Sequence, residues 1–99
     1  MMNTLSITDN EFLRQFECSI EGELVKIEYS EQERKIFLTK LVMSESLRNK
    51  GYLDLFIEQV LEIIKDRNIR VMPTNPAIAK FMRKNRRRYK DMLPVGINI

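Results

Sequence analysis

Residues 47–53, Leu-Arg-Asn-Lys-Gly-Tyr-Leu, place two cations and a glycine between an apolar, strand-like run and an amphipathic helix. That combination suits phosphate. The first helical turn carries N–H groups without intrahelical partners, and the positive end of the macrodipole points the same way. Gly51 allows a tight turn and close approach of a ligand, while Arg48 and Lys50 add charge. The competing reading is an ordinary strand-to-helix loop with solvated basic side chains. A second concentration of chemistry lies at residues 80–90, with seven Lys or Arg and no acid, against 10 basic and 13 acidic side chains in residues 1–79. Such local positive charge suits phosphate, nucleic acid or an acidic partner surface, or simply solubilises a terminal helix.

Other chemistries lack their residues. The chain has no His and only one Cys, Cys18, so it is without the commonest general base and the usual zinc ligands, and no metal site is expected. A lone cysteine cannot form an internal disulfide, which points to a reducing, cytoplasmic setting. No apolar run approaches the roughly 20 residues of a membrane span, and the N-terminal stretch with Asp9 and Glu11 has no signal pattern. Ninety-nine residues make one small domain with a single core.

The elements that must position these groups follow from periodicity. Phe12, Phe16, Cys18 and Ile20 share one parity, predicting a half-buried strand over about 11–20, interrupted by Arg14. Glu21-Gly22 is a turn signal, and Val25, Ile27 and Tyr29 alternate with Lys26, Glu28 and Ser30 as a hairpin partner. After a polar turn at 30–34, residues 35–43 are apolar on both faces apart from Thr39 and Lys40, the pattern of a central strand covered on both sides.

The period then changes. Leu53, Phe56, Ile57, Val60, Leu61 and Ile64 predict a helix from Tyr52 to Arg67, stopped at Asn68. Residues 69–72 make a short strand, and strand–helix–strand favours parallel pairing with a right-handed crossover. Asn75 and Pro76 mark the start of a second helix reaching about Asn85, with Ala77, Ile78, Phe81 and Met82 as its apolar stripe. Residues 1–10 are expected to be a flexible N-terminus, 11–93 the domain, and 94–99 a tail. An exposed edge strand at 12–20 leaves a homodimer open beside a monomer.

The resulting order is three antiparallel strands, helix, strand, helix. With Met43-Ser44-Glu45-Ser46-Leu47-Arg48-Asn49-Lys50-Gly51, Val71-Met72-Pro73-Thr74-Asn75-Pro76, and Arg83-Lys84-Asn85 through Tyr89, it resembles the small, minimal members of the GNAT acetyltransferase superfamily over about residues 12–93. The resemblance implies an α/β (α+β) single domain with a mixed, mostly antiparallel sheet covered by two helices. It also implies acetyl-CoA as cofactor, with the pyrophosphate on the turn Arg48, Asn49, Lys50, Gly51, Tyr52 and Leu53. Leu53 stands where the family has a small residue, and it also fits the helix stripe.

By the same resemblance the pantetheine arm lies beside Leu41 to Met43, where a backbone N–H can bond the thioester carbonyl. Glu28 is a candidate base for the acceptor amine, or an outward carboxylate on a solvated sheet face. The family Cys is replaced by Asn75, which also explains itself as a helix cap, and the family His aligns with Lys40. Phe81 occupies the place of the superfamily's helix tyrosine, and Tyr89 is the retained phenol that could substitute. The implied function is acetyl transfer to an amine that no motif identifies. The alternatives are a CoA-binding module without efficient catalysis and a basic-helix protein that binds nucleic acid or an acidic partner.

Overall fold

A computed structural model describes residues 4–94. Five strands run in the order β1 (Thr8–Asn10), β2 (Gln15–Ile20), β3 (Glu23–Gln32), β4 (Lys35–Val42) and β5 (Arg70–Pro73), each hydrogen-bonded to the next. The first four pair antiparallel, and β5 joins β4 in parallel. The helices are α1 (Glu45–Asn49), α2 (Tyr52–Asp66), α3 (Pro76–Lys84) and α4 (Arg86–Tyr89), with a closing 3₁₀ turn at Lys90–Met92. The expected mixed α/β domain is present, its two long helices being α2 and α3.

Both tight hairpins have the turn chemistry that right-twisted strands require. Glu21 (φ 52°) and Gly22 (φ 81°) link β2 to β3, and Glu33 (φ 50°) and Arg34 (φ 66°) link β3 to β4. These are two-residue loops with both central residues left-handed. Helix α2 stops at the Arg67 cap, and Asn68 follows at φ 58°, a left-handed stop that Asn tolerates well.

The first strand departs from expectation. Residues 11–14 form a turn rather than strand, Phe12 is 93% exposed, and β2 begins only at Gln15. Residues 8–10, expected in a flexible N-terminus, are instead edge strand β1. Long-range contacts hold them. Asp9 Oδ1 accepts from Tyr29 Oη at 2.6 Å. Asp9 Oδ2 lies 2.8 Å from Arg67 Nη1 without hydrogen-bond alignment, so that contact is Coulombic. Upstream, the Leu5 N–H donates to Gln59 Oε1 on α2. The edge therefore lies at β1, and β2 is paired on both sides.

Strand β4 is also covered differently. Its apolar residues on both parities come from a β-bulge, not from two buried faces. Tyr29 pairs with Leu38 but Glu28 with Lys40, so Thr39 is an extra residue, and its hydroxyl donates to the Glu28 carbonyl at 3.2 Å. One inserted residue reverses the parity. Ile36 and Leu38 point inward before the bulge, and Leu41 and Met43 do so after it, packing with Phe16, Val25, Ile27 and the helices in one core. The opposite face carries Ser19, Leu24, Glu28, Ser30 and Val42 and stays open to solvent or only half covered.

Candidate functional site

Strands β4 and β5 part company at a defined place. Their pairing ends at Leu38 and Pro73, because proline has no N–H to donate and the chain then turns into α3. The Asn75 N–H and the Thr74 hydroxyl both donate to the Leu38 carbonyl, at 3.1 and 2.9 Å, closing the fork at its base. Beyond it, β4 continues through residues 39–42 with no described strand on its β5 side.

The exposed end of β4 leads straight to the cationic turn. Ser44 caps α1 by accepting from the Leu47 N–H, and Arg48 Nε donates to the Met43 carbonyl at 3.1 Å. The chain passes Gly51 at φ 90°, where a Cβ would meet nothing within 4 Å, so backbone conformation alone calls for glycine. Gly51 is also the N-cap of the 15-residue α2, and no side chain caps that helix. Its first N–H groups are left to solvent or a ligand, whereas α1 and α3 are capped by Ser44 and Asn75.

Between the start of α2 and α3 runs a cleft lined by Leu53, Asp54, Ala77, Lys80, Phe81 and Lys84. Its lining combines Leu53, Ala77 and Phe81 with the Lys80 and Lys84 ammonium groups and the Asp54 carboxylate. The forked edge of β4, the uncapped N-terminus of α2 and the cleft at Leu53 are the candidate binding path. A family model described as GCN5-related N-acetyltransferase matches residues 15–92. The chain belongs to this family. No curated protein matches it.

Within this GNAT domain, Leu41, Met43 and 48–53 gather at one end of the sheet, with Leu41 half-buried and Met43 buried. Leu53 packs partly against the core, as its place in the helix stripe implies, and also lines the cleft. The three catalytic candidates are not brought together. Glu28 sits on the open sheet face, opposite Lys40 across the strands and 3.0 Å from Lys26. Asn75 is committed as the α3 cap, its Oδ1 accepting from the Ala77 and Ile78 N–H groups. Tyr89 is 1% exposed, its ring 5.8 Å from Phe81, and its hydroxyl has no described partner. Burial raises that phenol's pKa. Cys18 is no substitute nucleophile, since it lies in the core with its thiol pKa raised by burial.

The GNAT domain also has a residue at the turn that sequence reading did not single out. Glu21, at the β2–β3 hairpin tip, faces Lys50 at 2.6 Å and accepts from Tyr52 Oη at 3.3 Å. Lys50 holds its carboxyl below the ordinary carboxylate range, and Glu21 in return raises the Lys50 ammonium. The only local hint was the turn signal Glu21-Gly22, which carries no information about what the tip touches.

Proposed function

We propose that the chain binds acetyl-CoA along this path and transfers its acetyl group to an amine. The observation that carries the reading is the coincidence of β4's unpaired edge with the uncapped N-terminus of α2. On this reading the N–H groups of Tyr52 and Leu53 hold the pyrophosphate, with Arg48 and Lys50 supplying charge. The β4 edge near Leu41 and Met43 hydrogen-bonds the pantetheine amides as a neighbouring strand would. Lys80 and Lys84 add further positive charge beside the path. Acetyl-CoA supplies an activated thioester. The amine nitrogen forms the new C–N bond as the C–S bond breaks, the sulfur keeps its electron pair, and the amine proton passes to base.

A specific observation favours a second reading, cofactor binding without efficient turnover. Phe81 borders the cleft where a phenol would protonate the departing thiolate, Asn75 is occupied as a cap, and Cys18 is buried in the core. Isothermal titration with acetyl-CoA tests the common part, using Gly51→Val to distort the turn and melting temperature to show that the variant folds. Micromolar binding lost in the variant supports the site. No heat, together with no shift in melting temperature at millimolar ligand, would reject both readings. Given binding, release of free thiol in the presence of an amine panel separates enzyme from binding module.

A further inference from the structure

The basic segment at 80–90 exceeds what a cofactor requires. Lys80 and Lys84 border the cofactor cleft, but Arg83, Arg86 and Arg87 line a different, open trough that runs on from Lys84 past Asn85 to Arg88. Among the described residues, no carboxylate lines that trough. Arg88 is already spoken for, tying α4 to α2 through Glu58 at 2.7 Å and Glu62 at 3.2 Å. Lys80, Arg83, Lys84, Arg87 and Lys90 are exposed around it.

The character of the patch selects its ligand class. The buried core of a stable protein–protein interface is enriched in apolar and aromatic side chains. Here Phe81, Met82 and Tyr89 are all turned into the domain, at 7%, 0% and 1% exposure. What remains outside is charge without an apolar centre. Nucleic acid binding needs only that, because neutralising phosphates releases condensed counterions. Burial of Phe81 and Tyr89 also removes the aromatic rings of the segment on which an unpaired base would stack. Arginine forks suit phosphate oxygens, and Arg83 and Arg87 offer two.

We infer that the α3–α4 surface binds the phosphodiester backbone of a nucleic acid duplex without reading its sequence. Such a site is distinct from the acetyl-CoA path, meets it at Lys84, and does not depend on that path being used.

Fluorescence anisotropy of a labelled duplex, titrated with the full chain at several salt concentrations, tests it. With about four phosphates neutralised the log–log salt slope should lie near −3.6, roughly a hundredfold fall in affinity between about 50 and 200 mM salt. Arg83→Gln/Arg87→Gln/Lys90→Gln should weaken binding at least about tenfold and flatten the slope by roughly 0.9 for each phosphate left without its cation. All three side chains are exposed, so the melting temperature should hold. Absence of binding at low salt would overturn the inference, as would a triple variant that binds like the parent. Equal competition by poly-glutamate would also overturn it and give the surface to an acidic protein.

Discussion

Glu21 Oε1 lies 2.6 Å from Lys50 Nζ, so the β2–β3 hairpin tip is tied to the turn that opens α2. A carboxylate thus stands beside the ammonium that a pyrophosphate would use. Two anions compete for one cation. Glu21→Gln should tighten acetyl-CoA binding by roughly threefold at low salt, with the gain shrinking as salt screens the exposed pair. Titration calorimetry at two ionic strengths reads this directly. Weaker binding in the variant would mean that Glu21 instead orients Lys50 and Tyr52 for the ligand.

Asn75 separates a cap from a catalyst. Asn75→Ala should cost about 1 kcal/mol in urea unfolding, because the Ala77 and Ile78 N–H groups lose their acceptor. Asn75→Ser should restore most of it. Thiol-release rates in both variants should stay close to the parent's. A fall in rate shared by Ala and Ser would instead assign the carboxamide to the chemistry.

Phe81 invites the opposite experiment. Its ring is 7% exposed and borders the cleft beside Ala77 and Lys80. Phe81→Tyr adds a proton donor where the departing thiolate is expected. General-acid catalysis is worth on the order of 10²–10⁴-fold, so a rise in kcat of at least about tenfold, with KM little changed, is the expected outcome. An unchanged kcat would show that protonation of the thiolate does not limit turnover.

The contact between Tyr29 and Asp9 predicts an alkaline signature. Burial, and then the hydrogen bond to Asp9, push the Tyr29 phenol far above its usual range. Unfolded, it would ionise near about pH 10, while the folded chain keeps the proton. Stability is then fully present below that pH and falls as pH rises through the gap. Tyr29→Phe should cost about 1–2 kcal/mol at neutral pH and flatten part of the alkaline slope. The Tyr89 phenol and the Cys18 thiol, both raised by burial, and the Lys50 ammonium, raised by Glu21, add to the slope in the same sense. Denaturant unfolding at neutral and alkaline pH measures both effects, and an unaltered slope would detach Tyr29 from the effect.

Where the physics is local, sequence reading and structure agree. The α2 stripe, the Asn75-Pro76 start and the Glu21-Gly22 turn each depend on residues within a few positions of one another. Disagreement begins where distant segments meet. Asp9 makes β1 part of the sheet only because Tyr29 and Arg67 arrive beside it. Phe12 shares the parity of the buried residues yet stands in solvent, because the chain turns at 11–14.

By itself the sequence determined the α2 stripe, the α3 start, the Glu21-Gly22 turn, the family's order of elements and the glycine turn before α2, since propensity, capping and glycine geometry act within a few residues. Tertiary structure alone decided that Thr39 bulges, that β4 and β5 fork past Leu38, that Tyr89 is buried beside Phe81, and that Glu21 reaches Lys50. Each of these is a meeting of strands or side chains far apart in the chain. Its free energy comes from pairing and packing that no local pattern encodes.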